Sequence, residues 1–368
     1  MERPIFKPIG SSIYEIDTPA LVINLNLLNH NIKTLHSFFE NQKCKVRPFV
    51  STHMCPSIAH KQIAAGNTSG ISVSSLSQAN LFAEYGFGDI FITNKIVSSE
   101  KIKKLCSLAK EINLAISVDS LNNIKDLSEA AKFNKLTLNV AIDINHGLGY
   151  CGVAPGSPAV ELAKTIQSTK NLRFIGLTSY ENVLFFKDRE ELIRKSHEHA
   201  QQILDTRERI EKIGLKVQVV MIGATHNYDI VGKLSGVTEV PAGSYALMDS
   251  NYMKYKEDFL PAARVLASVT SRPEPAIAIL DSGQKSVNVD SGPPITDIIS
   301  NISVNALHAE HTILDLEGLS AQTLKLKDKV WLIPSDITLC ASLNDYFRVE
   351  KNGKLEAMWN ISARGRYK

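Results

Sequence analysis

The strongest constraint in this chain is a rhythm. Short apolar runs rich in β-branched residues alternate with longer segments whose apolar residues recur at i, i+3 and i+4. The alternation repeats eight times over about 230 residues. The short runs lie at 18–24, 45–50, 70–75, 89–94, 114–120, 138–144, 174–179 and 217–223. Segments such as LNLLNHNIKTLHSFFEN and REELIRKSHEHAQQILDTRERIEKIG carry the helical spacing between them. A strand that feeds a helix and returns to a parallel neighbour eight times closes into a barrel. The expected fold class is therefore α/β, a (β/α)8 TIM-type barrel over 18–250, with an open doubly wound sheet as the alternative.

The period changes near residue 255. From Ala262 onward the chain reads as short strands broken by turns, in RVLASVTSR, PAIAILDSG, VWLIPSD and YFRVEKNGKLEAMW. Asn352-Gly353 between two alternating runs is a hairpin signal, because both central positions of the favoured two-residue turn need positive φ. The expectation is a C-terminal all-β domain over 255–368, with residues 1–17 adding to it.

Composition narrows the function classes. Hydrophobic residues are 44% and charged residues 21%, enough to bury a sizeable core. A net charge of +3 is too small and too dispersed to argue for nucleic acid or an anionic membrane. The five cysteines, Cys44, Cys55, Cys106, Cys151 and Cys340, have neither disulfide-framework nor metal-ligand spacing, so free thiols in a reducing cytoplasm are expected. No run approaches the ~20 apolar residues that span a bilayer, and the N-terminus has no signal-peptide core.

In a barrel of this kind, chemistry sits at the C-terminal ends of the strands. That rule selects Arg47 to Cys55, then Asn145, His146, Gly147, Leu148, Gly149, Tyr150, Cys151 and Gly152. It also selects Ser179, Tyr180, Glu181 and Asn182, and finally Gly223, Ala224, Thr225, His226, Asn227 and Tyr228, followed by Ser244 and Tyr245. The small, polar loop after the run at 217–223 leads into a helical start. Its amides can cradle a phosphate, or it is an ordinary strand-to-helix turn capped by Thr225 or Asn227. If the strand at 45–50 runs on, Ser51 and His53 share one face and a histidine-activated serine is available. The plainer reading makes both hydrogen-bonded pocket residues. His53 and Cys55, with His308, His311, Asp336 and Cys340, offer metal-ligand types but no four-ligand set. His197 and His199 fall on a strongly charged helix and are expected to be solvated.

The residues now in view resemble the D-threonine aldolase and D-serine dehydratase group of pyridoxal-phosphate enzymes, which join an alanine-racemase-like barrel to a β domain. The resemblance covers nearly the whole chain. It rests on DTPALVINLNLLNHNI, on AGNTSGISVSSLSQANLFAEYGFGDIFITNKIV, on YCGVAPG, on GLTSYENV, on GVTEVPAGSYALMDSNY, on ILDSGQKSVNVDSGPP and on the terminal ISARGR.

The departures fall at the chemical positions. The family's R-P-H-x-K-T-H carries the lysine that holds the cofactor as an imine; here the lysine position is Ser51 and the preceding histidine is Phe49. The ring-facing arginine of R-C-G-V is Tyr150. The histidine of Y-E-G-H is Val183. The G-G-G-T-G-T phosphate turn reads Ile222, Gly223, Ala224, Thr225, His226, Asn227. The metal pair of P-N-H-x-C becomes Asp336 and Thr338, of which only Asp336 is a plausible ligand. Framework motifs such as TPA, AGSY, DSG and ARGR are kept.

The resemblance, so modified, implies a divergent family member acting on a small amino-acid-like molecule without covalently bound pyridoxal phosphate. Ser51, His53, Tyr150, Tyr180 and His226 are then the catalytic candidates. Gly223, Thr225, Asn227, Tyr228 and Tyr245 are candidates for a non-covalent pyridoxal phosphate or a phosphate ligand. A divalent metal at Asp336 is doubtful, and the family's habit implies a homodimer. Two alternatives stand. One is a conventional lyase on D-3-hydroxy amino acids that uses another amine, Lys95 or Lys285. The other is a non-catalytic binding module or partner subunit.

Overall fold

The computed structural model describes residues 7–145, 149–182, 186–296 and 301–368. His146, Gly147, Leu148 and Val183, named above, lie outside them. The chain divides into two compact units. One holds residues 1–34, 52–58 and 244–364, and the other holds 35–51, 59–243 and 365–368.

In chain order the first strands are β1 (Ala20–Asn24), β2 (Lys45–Val46), β3 (Ile71–Val73), β4 (Asp89–Ile92), β5 (Asn113–Val118), β6 (Leu138–Asp143), β7 (Leu172–Thr178), β8 (Val219–Met221) and β9 (Glu239–Val240). The helices among them are α1 (Leu25–Phe38), α2 (Pro56–Ala64), α3 (Leu76–Glu84), α4 (Ser99–Leu108), α5 (Leu121–Phe133), α6 (Ser157–Ser168), α7 (Arg189–Lys212) and α8 (Tyr228–Val231). Strands β2 to β9 form one parallel sheet of eight in the order β2-β9-β8-β7-β6-β5-β4-β3. Its ends meet. Val46 bridges Thr68 and Phe49 bridges Ser72, both in parallel sense, so the sheet curls into a ring. The helices begin where the strand-to-helix turns supply a cap: the side chains of Ser75, Ser98, Ser120 and Asp188 each accept an amide of the first turn.

One assignment needs correcting. The run at 18–24, read from the sequence as the first barrel strand, is β1, and it pairs antiparallel with Ala263–Ser271 and parallel with Tyr346–Lys351 in the other unit. The eighth barrel strand is β9, only two residues long. It carries no hydrophobic run of its own, which is why no period flagged it.

Two-residue strands make weak ladders, and the seam between β2 and β9 is reinforced by a side chain. Arg47 is buried. Its Nε and Nη2 donate to Glu239 Oε2 and Oε1 at 2.6 and 3.0 Å, while Nη1 donates to Asp89 Oδ1 at 2.7 Å and to Ile71 O at 3.2 Å. One guanidinium therefore ties β2 to β9, β3 and β4.

The lumen is readable from side-chain alternation. Phe91, Ala141, Ile175 and Met221, with Ala115 and Val219 against them, form a cluster drawn from five adjacent strands and no helix. On β6 the same face carries Asn139 at the bottom, held by Arg173 Nε at 2.7 Å, and Asp143 at the top. Gly176 lets β7 approach β8, since a Cβ there would lie 1.8 Å from Val219 O.

The second unit is mostly strand. It adds β10 (Ala263–Ser271), β11 (Ile277–Leu280), β12 (Ile295–Thr296), β13 (Ile302–Leu307), β14 (Thr312–Leu316), β15 (Lys329–Ile333), β16 (Tyr346–Lys351) and β17 (Lys354–Asn360). Short helices α9 (Ser250–Met253), α10 (Gln284–Val287), α11 (Leu319–Thr323) and α12 (Ile337–Ser342) punctuate them. Asn352 and Gly353 turn the β16–β17 hairpin with φ of 53° and 77°. The N-terminal segment joins here, Ser12 bridging Lys354. Among the described residues, no helix is long and apolar enough to cross a membrane.

Replacing Arg47 by Met leaves Glu239 buried without its cation, a defect of about 3–5 kcal/mol. We expect Arg47→Met to lower the denaturation midpoint steeply in urea titrations followed by circular dichroism. A midpoint within error of wild type would show that the seam does not depend on this clasp.

Candidate active site

At the C-terminal end of β2 the chain leaves the strand earlier than the sequence suggests. Val50–Thr52 is a turn of 3-10 helix, so strand alternation does not place Ser51 and His53 on one face. The Ser51 hydroxyl donates to Gln78 Oε1 at 2.5 Å and accepts from the Ser74 amide at 2.8 Å. Ser74 Oγ donates to the same Gln78 oxygen at 3.0 Å. The Ser51 proton is thus directed at an amide oxygen, which is not a base. His53 belongs to the other compact unit, and its Nδ1 accepts from the Cys55 amide at 3.1 Å. The serine–histidine pairing drawn from the sequence is not what the local backbone builds.

The loop after β8 is tightly made. Gly223 has φ +84°, and a Cβ there would meet Val231 Cγ2 at 2.5 Å. Asn227 Oδ1 accepts from the Ala224 amide at 2.9 Å, so the side chain closes the turn backwards instead of capping α8. Its Nδ2 donates to Glu181 Oε2 at 2.5 Å and to Ser196 Oγ at 2.9 Å. Around the same carboxylate stand His226 Nε2 at 3.4 Å and His199 Nδ1 at 3.8 Å. Glu181, His226 and Asn227 are buried, Thr225 is fully buried, and Tyr228 packs edge-on against Phe38 with ring centroids 5.1 Å apart. His199, expected to be solvated, is buried; only His197 is exposed. The inward stripe of α7 is polar at this level, with Ser196 and His199, because it faces Glu181 rather than an apolar strand.

Across the ring, Lys95 lies three residues beyond β4, and its Nζ forms an ion pair with Asp143 Oδ2, the last residue of β6. Both side chains are largely enclosed, 13% and 9% exposed. Burial pushes the Asp143 carboxyl up to about 6; the Lys95 ammonium pulls it down, and the Asp119 carboxylate adds to the rise. Asp119 itself accepts from the Gly152 amide at 3.1 Å. One layer below on β5, Ser117 shares the lumen face of Ala115, and its hydroxyl is fully buried with no hydrogen-bond partner among the described residues. Tyr150 and Tyr180 meet with ring centroids 5.3 Å apart at 33°, and they are 64% and 49% exposed. Of the residues selected from the sequence, these two tyrosines are brought together, Ser51 goes to Gln78, and His226 and Asn227 join Glu181. Gln78, Asp143, Ser117 and Ser196 were not selected. Position at a strand end, and the parity of Asp143 with Ala141, are the signals that point to them.

In the other unit, Tyr245 is fully buried against Phe259, which leaves no exposed face for a ligand. Asp336 caps α12, accepting from the Leu339 amide at 3.0 Å. Its neighbour Asp249 accepts three amides, from Asn251, Tyr252 and Ile337, and burial lifts its carboxyl to about 7. Thr338 lies within α12. Among the described residues, no group of three or more His, Cys, Asp or Glu could hold a metal ion. Lys285 is exposed and pairs with Glu310.

Residues 23–250 match the family model of the alanine racemase N-terminal domain, and residues 262–349 match that of a putative serine dehydratase domain. The chain is 30% identical to a D-threonine aldolase of Arthrobacter sp, over 97% of this chain and 95% of the relative. It is 29% identical to a 3-hydroxy-D-aspartate aldolase of Paracoccus denitrificans (strain Pd 1222), over 97% and 94%. The crystal structure of D-threonine aldolase from Filomicrobium marinum superposes with a TM-score of 0.94 at 30% identity, covering 98% of this chain and 100% of that one. The chain belongs to the D-threonine aldolase family of alanine-racemase-type barrels. This family is pyridoxal-phosphate-dependent, and the curated relatives are lyases.

The Lys95–Asp143 pair sets a measurable property. Lys95 lowers the Asp143 carboxyl, so its removal must raise it further. We expect the Asp143 carboxyl resonance to titrate near 6 in carbon-detected nuclear magnetic resonance, and to move to higher pH in Lys95→Met. A wild-type midpoint at the ordinary aspartate position, unchanged in the variant, would contradict the buried pair.

Proposed function

We propose that this chain works in the family's barrel on a small amino-acid-like molecule, as a lyase-type enzyme of altered chemistry that does not hold pyridoxal phosphate on a lysine. The observation that carries this reading is the loop that aligns with the family's phosphate turn, where Asn227 Oδ1 accepts from the Ala224 amide at 2.9 Å and its Nδ2 donates to Glu181, the glutamate of the Y-E-G-H motif. A phosphate placed there finds the Ala224 amide already engaged by the Asn227 side chain, so that donor is not free to cradle it. At the position aligned with the imine-forming lysine stands Ser51, whose hydroxyl cannot form an imine and is engaged with Gln78. The position aligned with the ring-facing arginine is Tyr150, exposed and packed at a tilt against Tyr180. The residues present therefore do not fit the cofactor. Asp336, turned to capping α12, offers a lone carboxylate to a metal. A homodimer in the cytoplasm, with all five cysteines free, belongs to the same reading.

The purified protein should show no visible absorbance of a bound pyridoxal imine. It should not cleave D-threonine or 3-hydroxy-D-aspartate above the uncatalysed rate, with or without manganese. Ser51→Lys alone should not restore turnover, because the defects at the phosphate loop and at Tyr150 remain; residues that act as a unit do not contribute additively. Turnover of either compound by the unmodified protein would sink the proposal.

A further inference from the structure

We propose that Lys95 is a carbonyl-capturing amine: its Nζ condenses with a small unphosphorylated carbonyl compound to give an imine at the barrel mouth, with Asp143 carrying the protons. The word unphosphorylated rests on the reading of the phosphate loop given above; the reactivity of Lys95 does not.

The placement is the first support. Lys95 follows β4 and Asp143 ends β6, so the pair spans the mouth above β5 at the end of the barrel where ligands bind. Asp143 shares the lumen face of Ala141, and Lys95 reaches it there. A second, independent observation comes from Ser117. It sits level with Ala141 in the β5–β6 register, one layer beneath the pair, fully buried on the lumen face with its hydroxyl unpartnered among the described residues. An unsatisfied buried hydroxyl is costly, and a carbonyl or carbinolamine oxygen brought to Lys95 from the lumen side would satisfy it. The exposed rings of Tyr150 and Tyr180 follow β6 and β7.

An ion-paired ammonium is a poor nucleophile in water. In an enclosed pair, burial disfavours the carboxylate, so passing the proton from Nζ to Asp143 costs less than passing it to an exposed carboxylate. The raised Asp143 carboxyl agrees with this. The neutral Nζ then attacks the carbonyl carbon, forming the C–N bond. One nitrogen proton moves to the oxygen, and the protonated Asp143 delivers the other. The C–O bond breaks and water leaves. Nitrogen ends with one proton and a positive charge, water carries away two protons, and Asp143 is again a carboxylate. The ion pair of the resting protein becomes an iminium–carboxylate pair of the same charge, so no oxidant, reductant or further ion is required.

The test uses the full-length protein and glyoxylate as probe, with cyanoborohydride reduction and tandem mass spectrometry of the digest. We expect a saturable secondary-amine adduct on the peptide carrying Lys95, ahead of exposed lysines such as Lys285. Lys95→Arg keeps a cation opposite Asp143 and should fold, yet it cannot condense, so the adduct at this peptide should vanish. Asp143→Asn should slow trapping at Lys95 by on the order of 100-fold, the low end of a general acid–base contribution. Adduct spread evenly over exposed lysines, or total labelling unchanged in Lys95→Arg, overturns the proposal. Parallel reactions with pyridoxal and pyridoxal phosphate separate the two readings. Trapping of pyridoxal alone on Lys95 supports both. Equal trapping of the phosphorylated aldehyde on Lys95 upholds its reactivity and overturns the exclusion of phosphate.

Discussion

One guanidinium clasps the seam of the barrel. Strands β2 and β9 are two residues each; amides of Lys45, Arg47 and Phe49 carry the backbone pairing on to Ala242, and the Arg47 side chain adds its fork onto Glu239 and its reach to Asp89 and Ile71. A planar, always-charged group with five donors suits this task; a lysine, a point charge with three donors, cannot fork onto the carboxylate. With the seam held, the turns after each strand fall in fixed places around the mouth, and the chemistry of the mouth becomes a question of which side chains those turns carry.

On the proposed reading, the turns carry an unusual set for this family. Where an anion would sit, the loop after β8 is drawn inward onto Glu181 by Asn227 and flanked by two imidazoles. Where a ring-facing cation would sit, two tyrosines pack at a tilt at the surface. The enclosed cation has a different address, Lys95 on Asp143, spanning the end of β5. These changes are mutually consistent. A mouth whose phosphate loop is closed on itself by Asn227 has no use for a phosphate-bearing ring or for an arginine to polarise it. A mouth with a lysine against a carboxylate retains a means of engaging a carbonyl.

Much of this was legible in the residues. Seven of the eight expected barrel runs, from 45–50 to 217–223, contain a strand of the barrel, because β-branched cores buried on both faces leave a clear apolar signature. The run at 18–24 has the same signature and belongs to the other sheet: burial looks alike to a sequence whichever sheet provides it. The placing of Ser51 at the family's lysine position, as the resemblance implies it, could be read directly. The hydrogen bond to Gln78 that engages Ser51 could not, since 27 positions separate the two residues and only the ring brings β2 beside α3. His199 was misjudged because its helix is charged on average, whereas a single polar stripe faces Glu181. Lys95 stood out by its place after β4, but its partner on β6 required the parallel register of three strands.

On the proposed reading, the family's frame is kept around a mouth that does not accept the cofactor's phosphate. Phosphorus magnetic resonance of pyridoxal phosphate titrated with the purified protein tests it most directly, since the nucleus reports the phosphate itself and needs no activity. The account predicts a line unchanged in position and width through equimolar protein. A saturable shift or broadening, displaced by inorganic phosphate, would contradict it.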